Sequence, residues 1–365
     1  MTSVAVVNAY RQFTGTTAAA QTYFKTLNDN GYQAQWYQCV DTKDLSDYIC
    51  GKAVVSGLTT PIQSLNIAAN RLYFFPKRLR RLKEDLVFAT DQVLSGLVDE
   101  HRNCIVVVHD LRELDPETWT NPGARLLYHV LVPKLKKAQA IFAVSTATKR
   151  AIESQLTDLP PIRVLHHGTP IPGDPVQHLL DSLRRIQQER TLNVLYISVD
   201  RPYKQIDFFL QLARETEKCQ LTCDVKIRFH LVSKISPITR RNLLRNPIRS
   251  LRIYPTVPDL SKLFQSTDVL AFPSTMEGFG RPLAEAMQFG IPVIANDLEP
   301  MREVISDGGM LLPRLDLQEW TSALLSLTKE GRLEQASKRS ATRGVWFSPA
   351  SFATRFLSAL HEFGY

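Results

Sequence analysis

The sequence predicts an α/β protein with two doubly wound domains and a cleft between them. The chain has 365 residues, more than one hydrophobic core usually supports, and its hydrophobic fraction of 44% is that of an ordinary globular protein. Short runs rich in valine and isoleucine alternate with amphipathic segments, which is the pattern of βαβ units. Because this pattern occurs twice, we expect one domain at 1–170, a second at 191–347 and a polar, proline-bearing linker at 171–190.

The elements of the first domain follow from apolar runs that are bounded by turn residues. The predicted strands are residues 3–10, 104–111, 140–145 and 162–167. The predicted helices are residues 17–30, which end before Gly31, and residues 146–156.

The second domain repeats the alternation after the linker, which itself contains a short helical pattern. Its predicted strands are residues 192–199, 225–233, 249–255, 268–274 and 291–297. Helices are predicted at residues 207–217 and 281–289, and the second of these ends at Gly290.

Composition narrows the classes of function. No run of eighteen uncharged apolar residues occurs and the first residues lack the pattern of a signal peptide, so we expect a cytoplasmic protein. Five scattered cysteines without a CxxC pair or zinc spacing indicate reduced thiols and no metal site. The net charge of +8 favours anionic small molecules or an anionic membrane surface as partners, ahead of nucleic acid.

A glycine-rich turn in the second domain carries two acids. The turn Glu277-Gly278-Phe279-Gly280 follows a predicted strand and precedes a helix that contains Glu285. Open α/β sheets bind ligands at the carboxyl ends of their strands, and the amides of a helix N-terminus favour an anion such as a diphosphate. Carboxylates on either side accept hydrogen bonds from hydroxyl groups, which sugars and riboses supply. Without a ligand, the same acids would be a solvated turn residue and a favourable first-turn carboxylate.

Around these acids the sequence resembles the retaining glycosyltransferases of family 4, which have the GT-B fold of two Rossmann-like domains facing a central cleft. The E-x7-E spacing in EGFGRPLAEAM, followed by GIPVIA, is the most specific motif of that family. The resemblance covers nearly the whole chain. Further segments that match in kind and order are VVVHDL (106–111), VSTATKRAI (144–152), VLHHGTPIP (164–172) and REVISDGG (302–309).

The resemblance implies how the parts of the chain are used. The C-terminal domain would hold a nucleotide sugar, the N-terminal domain would hold the acceptor, and a helix at 348–365 would cross back to the first domain. Glu277 matches the glutamate that contacts hydroxyls of the donor sugar, and Glu285 matches the one that contacts the ribose. Lys204 matches a lysine that binds the diphosphate. Arg201 serves beside it only with a shift in register, because the family usually has a longer spacing between the two.

Two residues of the first domain are also implied. His109 ends a predicted buried strand and matches a histidine near the donor sugar, although a lone histidine is also compatible with a core position. Gly15 lies where the family usually has two adjacent glycines that approach the phosphates. The alternative there is a plain helix cap by Thr16 or Thr17. His167 stands where relatives often have asparagine, which removes the basis for a direct role.

The implied reaction is transfer of a sugar from a nucleotide diphosphate to an acceptor hydroxyl with retention. The amides near Phe279 and Gly280, together with Lys204 and Arg201, would neutralise the departing diphosphate, so no metal or other cofactor is expected. HDLRELDPETW resembles mannosyltransferase-like members, which makes GDP-mannose the first candidate donor and a UDP-sugar the second. Two alternatives remain, a nucleotide-sugar epimerase of the same fold and a non-catalytic relative that binds a glycan or a partner protein.

The densest basic run, residues 76–86, is a further candidate site. Its leucines at 79, 82 and 86 have helical spacing, and five of the other residues, between 77 and 83, are basic. Relatives that build lipid-linked glycans dock on anionic membranes through such patches, which implies a glycan or lipid-linked acceptor and peripheral association with the inner face of the membrane. A solvated basic helix face is the alternative.

Overall fold

The computed structural model describes residues 1–10, 14–41, 53–60, 62–115, 122–169, 173–219, 224–257, 259–313 and 315–365. The chain forms two compact units. The first is Met1–Pro170 together with Phe352–Tyr365, and the second is Ile171–Ser351.

The first unit is built on a seven-stranded parallel sheet. Its strands are β1 (Ser3–Asn8), β2 (Gln33–Val40), β3 (Ala53–Ser56), β4 (Leu86–Ala89), β5 (Cys104–Val108), β6 (Ala140–Ala143) and β7 (Ile162–Val164). Their order in the sheet is β3-β2-β1-β4-β5-β6-β7. All residues of β4, β5 and β6 are buried, as expected for central strands with both faces covered.

Helices surround this sheet. The α-helices are α1 (Gly15–Asp29), α2 (Gln63–Ala69), α3 (Phe75–Leu79), α4 (Pro122–Leu131) and α5 (Thr146–Gln155). A π-helix, Asn70–Phe74, joins α2 to α3, and 3-10 helices occupy Gln92–Asp99, Arg112–Leu114 and Val132–Lys137.

The second unit is built on a six-stranded parallel sheet. Its strands are β8 (Thr191–Ile197), β9 (Lys226–Val232), β10 (Leu251–Tyr254), β11 (Val269–Phe272), β12 (Val293–Asn296) and β13 (Met310–Leu312), in the order β10-β9-β8-β11-β12-β13. Its helices are α6 (Pro175–Gln188), α7 (Ile206–Cys219), α8 (Pro237–Arg245), α9 (Leu260–Gln265), α10 (Arg281–Gln288), α11 (Glu299–Ile305), α12 (Leu317–Leu327) and α13 (Arg332–Gly344), with 3-10 helices at Pro202–Lys204 and Val345–Phe347. The prediction of two doubly wound α/β domains is confirmed.

The chain passes from one unit to the other at two places, before α6 and within the last helix. The segment expected as a linker contains the 14-residue helix α6, which packs on β8 and α13 and belongs to the second unit. The last helix, α14 (Pro349–His361), begins in the second unit and continues in the first. There, Phe352 and Phe356 lie against Tyr23, with ring centroids 5.5 and 5.1 Å away.

The predicted helix over residues 76–86 is wrong beyond its first turn. Helix α3 ends at Leu79, a turn follows, and Leu86 is the first residue of the buried strand β4. The three leucines have helical spacing, but they do not share a helix. Leu79 is buried at the end of α3, whereas Leu86 is buried in β4. Three apolar positions are too few to distinguish these cases.

The remaining global predictions concern thiols and membrane spans. Cys39, Cys104 and Cys219 are not in disulfides, and the first two are buried, whereas Cys50 and Cys223 lie outside the described residues. Burial raises the pKa of both buried thiols to about 12, so they stay protonated at neutral pH. Among the described residues, no helix is long and apolar enough to cross a membrane.

Candidate functional site

Two neighbouring strands of the second sheet end at the loops that carry the predicted site. Strand β8 leads to the 3-10 turn Pro202–Lys204, and β11 leads to the glycine-rich turn before α10. Because β8 and β11 are adjacent and parallel, their carboxyl ends lie at the same edge of the sheet.

Hydrogen bonds hold the Lys204 turn against the end of β11. The hydroxyl of Tyr196 donates to the carbonyl of Lys204. The carbonyl of Tyr203 accepts from the amide of Thr275 at 2.8 Å and from the Ser274 hydroxyl at 3.2 Å. The two loops are therefore joined at the Tyr203 carbonyl, and no bond of this set uses the side chain of Lys204.

Lys204 and Glu277 form an ion pair at this edge. Lys204 Nζ contacts Glu277 Oε1, and the two side chains are only 15% and 10% exposed. The ammonium also lies 5.5 Å from the ring centroid of Tyr203 and 5.8 Å from that of Phe272. Limited access of water and the aromatic surroundings strengthen the electrostatic effect of both charges. The pair can offer a carboxylate to hydroxyl groups and an ammonium to phosphate oxygens.

Helix α10 starts at this site without a side-chain cap. Its cap, Gly280, has φ +86°, a left-handed conformation that glycine adopts at little cost. The cap has no side chain to bond the first amides, and the first turn contains no acid. Phe279 is 3% exposed and its ring lies against Phe347, so this residue can offer only its backbone to a ligand. Gly278 is half-buried beside Glu277.

Glu285 lies one turn into α10 and is also ion-paired. Its Oε1 accepts a hydrogen bond from Nη2 of Arg281 at 2.9 Å, and the side chains of Arg281 and Glu285 are 11% and 9% exposed. Sequence analysis did not identify Arg281. The available signal was its position four residues before Glu285 on a predicted helix, which places the two side chains on one face.

Arg201 is the predicted residue that the structure does not bring into either pair. It precedes the 3-10 turn, its side chain is exposed, and among the described residues none forms an ion pair with it. In the second unit, Lys204 and Glu277 are thus brought together and Glu285 is joined by Arg281, while Arg201 remains at the surface.

In the first unit, His109 belongs to a buried chain of hydrogen bonds. His109 Nε2 donates to the Thr90 carbonyl at 2.9 Å, since a carbonyl can only accept. Its Nδ1 then accepts from His167 Nε2 at 3.3 Å, and His167 Nδ1 lies 3.4 Å from the Tyr23 hydroxyl. The two imidazoles stack with centroids 5.1 Å apart. Both ring nitrogens of His109 are therefore bonded within the unit, and His167 and Tyr23 are partners that sequence analysis missed.

Asp91 adds a titratable group beside this chain. Its carboxylate caps the 3-10 helix Gln92–Asp99 by accepting from the Val93 amide at 2.9 Å, and it lies 3.8 Å from His109 Nε2. Burial, with a further contribution from the charge of Asp110, raises the pKa of Asp91 to about 7. The protonation state of Asp91, which lies beside His109, therefore changes near neutral pH.

Gly15 is the first residue of α1 and is exposed. The helix cap is Thr14, whose hydroxyl accepts from the Thr17 amide at 3.1 Å, so the expected alternatives Thr16 and Thr17 are not the cap. The residues immediately before Thr14 lie outside the described ranges. Across the parts of the chain that the structure describes, no group of three or more His, Cys, Asp or Glu side chains is arranged to hold a metal ion.

Comparison with known proteins shows which proteins the sequence of this chain resembles. Residues 191–330 match the model of the family described as Glycosyl transferases group 1. The chain is 25% identical over 317 residues to O-antigen chain mannosyltransferase B of Escherichia coli, across 81% of this chain and 80% of that protein.

Solved structures resemble the whole chain in fold. Sucrose-phosphate synthase from Thermosynechococcus elongatus superposes with a TM-score of 0.76 at 13% identity, covering 99% of both chains. Anabaena HepE, solved in complex with UDP-glucose, gives a TM-score of 0.72 at 17% identity, covering 99% of this chain and 100% of HepE. The predicted GT-B fold is confirmed.

Proposed function

We propose that this chain, a glycosyltransferase with a group 1 C-terminal domain, transfers a hexose from a nucleoside diphosphate donor to an acceptor hydroxyl with retention of anomeric configuration. The observation that carries the proposal is the Lys204–Glu277 pair at the carboxyl end of the second sheet. Glu277 of this pair lies in the loop that leads into the uncapped N-terminus of α10, and Lys204 reaches it from the turn after β8. The acid, the ammonium and the positive end of the helix together suit a sugar joined to a diphosphate.

Each residue then has a defined task in the reaction. Glu277 accepts hydrogen bonds from hydroxyls of the donor sugar, which fixes the anomeric carbon relative to the diphosphate. Lys204 and the amides of Phe279 and Gly280 oppose the negative charge that grows as the bond between sugar and diphosphate breaks. The acceptor oxygen forms its bond on the same face of the sugar, and its proton passes to the departing phosphate oxygen. Glu285 holds the ribose, and Arg201 is positioned to add charge if its exposed side chain turns inward.

GDP-mannose is the first candidate donor and a UDP-sugar is the second. The E. coli relative is an O-antigen chain mannosyltransferase, which favours mannose and a glycan or lipid-linked acceptor. HepE was solved with UDP-glucose, which keeps uridine nucleotides as the second candidate.

A panel of nucleotide sugars tests the proposal. A donor that binds the folded protein raises its melting temperature by mass action, so the true donor is expected to give the largest shift. Turnover is then measured with and without methyl α-mannoside as a simple acceptor. An altered sugar that stays attached to its nucleotide, formed without acceptor, would identify an epimerase instead, and absence of binding by every nucleotide sugar would contradict the proposed function.

Removal of divalent metal is expected to leave activity within about twofold, because cationic side chains rather than a metal ion face the diphosphate. The check is the initial rate with donor after treatment with EDTA, compared with the rate after magnesium is restored. Loss of nearly all activity in EDTA, followed by recovery with magnesium, would show that Lys204 and the helix amides are not sufficient.

The basic run is proposed as the surface that approaches an anionic membrane. Lys77, Arg78, Arg80, Arg81 and Lys83 are all exposed, and Lys77 is paired with Glu100 at 2.8 Å. The run borders a surface cavity of about 400 Å³, which is lined by Ser3, Gln35, Tyr37, Arg81, Leu82, Lys83 and Glu84. Each basic residue near an anionic leaflet contributes about 1 kcal/mol, so the four that lack this acidic neighbour are sufficient for reversible attachment.

Replacing Arg78, Arg80 and Arg81 with glutamine is therefore expected to reduce sedimentation with liposomes that contain phosphatidylserine. Binding by the wild-type protein is expected to weaken as salt rises. The matched control replaces Arg240, Arg241 and Arg245, which are exposed on α8 of the second unit. Equal losses in both triple variants would indicate general charge attraction, and no sedimentation of the wild type would favour a soluble acceptor.

A further inference from the structure

Arg281 occupies a position that local helix energetics disfavour. It is the first residue of α10, where the positive end of the helix dipole favours acids rather than cations. It precedes its partner Glu285 by four residues, and the acid-first order is the more stabilising one for such pairs. Its side chain is also only 11% exposed, so it has lost most of its hydration. Three separate unfavourable features at one residue of a candidate site indicate a functional demand.

The hydrogen bonding of this pair is incomplete on both sides. Arg281 uses Nη2 to bond Glu285 Oε1, while its Nη1 is buried and has no partner among the described residues. Glu285 Oε2 accepts no hydrogen bond from any described residue. Arg281, at the start of the helix, therefore holds Oε1 of Glu285, and Oε2 is the oxygen that a ligand can contact. An ion pair that served stability alone would be expected to satisfy the buried guanidinium more fully.

We propose that Arg281 is a positioning residue that holds Glu285 in the orientation required to bind the vicinal hydroxyls of the donor ribose. The inference rests on the proposed function and extends it to a residue that the motif spacing does not identify. Without the bond from Nη2, the Glu285 carboxylate would be free to rotate. The ribose would then lose a preorganised acceptor, although every group that contacts it directly would remain in the protein.

The proposal predicts a coupling between Arg281 and the ribose hydroxyls. GDP and 2′,3′-dideoxy-GDP are titrated into the protein by calorimetry, with the uridine pair used in parallel. The wild type is expected to prefer the hydroxylated nucleotide at least about tenfold, since the dideoxy compound lacks the ribose hydroxyls that donate to the charged Glu285 carboxylate. Arg281→Leu and Glu285→Ala are each expected to reduce this preference to about twofold. The double variant should lose no more than Glu285→Ala alone.

Two further variants separate positioning from general stability. Arg281→Lys keeps a cation and is expected to restore part of the preference, which also keeps the test valid should Arg281→Leu not fold. Arg184→Leu makes the same chemical change at an exposed arginine that bonds Gln188 four residues on, and it should keep the wild-type ratio.

The outcomes are distinct. An unchanged preference in Arg281→Leu, or an equal loss of affinity for both nucleotides, would overturn the positioning role and leave the proposed function intact. Failure of the wild type to bind either GDP or UDP would overturn both.

Discussion

Replacing Lys204 with methionine is expected to lower kcat by about 10² to 10³. The departing diphosphate gains negative charge in the transition state. Removing one preorganised donor from such a site typically lowers kcat by a factor of this size. Affinity for the free nucleoside diphosphate should fall as well, because the ammonium also faces the ground-state phosphates. The change further leaves Glu277, which is 10% exposed, without its cation, so the melting temperature should drop.

The measurement is the initial rate at saturating donor, with melting temperature recorded for each variant. Lys338→Met is the matched control, because Lys338 forms an exposed ion pair with Glu334 in the same unit. Exposed pairs of this kind contribute little, so the control should retain wild-type kinetics. A Lys204 variant with wild-type kcat would show that the ammonium is a structural partner of Glu277 and nothing more.

Glu277→Gln is expected to lower kcat roughly ten- to hundredfold while changing affinity for the free nucleoside diphosphate by no more than about twofold. A glutamine amide still accepts from Lys204, but it bonds sugar hydroxyls without the charge that makes such bonds strong. Because the free nucleotide has no donor sugar, its binding does not use Glu277. The split between turnover and nucleotide affinity is what distinguishes a sugar contact from a general loss of structure.

Rates with the donor and calorimetry with the nucleotide test this expectation, with Glu334→Gln as the control. The double variant of Lys204 and Glu277 should be far less impaired than the product of the two single effects, since the side chains act as a unit. Equal losses of turnover and nucleotide affinity in Glu277→Gln would place this acid at the nucleotide rather than at the sugar.

Most of the fold could be predicted from the sequence, because central strands such as β5 and β11 are fully buried and are nearly continuous apolar runs. Strand β2 was missed because it includes polar residues such as Gln38, which is fully buried. Its amide reaches across the sheet to Asn8, with Nδ2 of Asn8 donating to Gln38 Oε1 at 3.2 Å. Such a bond satisfies a buried amide only after β1 and β2 have paired, so no local pattern reveals it. Strand β4, of only four residues, was overlooked beside the basic run.

The candidate site was predictable to the extent that its residues share one loop. The turn before α10 and the spacing of its two acids are contained in a dozen residues, and the structure places both acids at one edge of the sheet. The surroundings of His109 depend on distant parts of the chain, since His167 is 58 residues away. Sequence analysis placed His109 at a strand end and could not show that both of its ring nitrogens are bonded internally.

The most direct test of the central claim is proton NMR of the sugar released when the wild-type protein hydrolyses its preferred nucleotide sugar without acceptor. With GDP-mannose, whose sugar is α-linked, retention predicts that the first anomeric signal is that of α-mannose, with the β-anomer appearing only later by mutarotation. The Lys204→Met variant should release sugar at a rate lower by about 10² or more. Early accumulation of β-mannose would contradict retention. Equal rates in the wild type and the Lys204 variant would contradict the role assigned to the Lys204–Glu277 site.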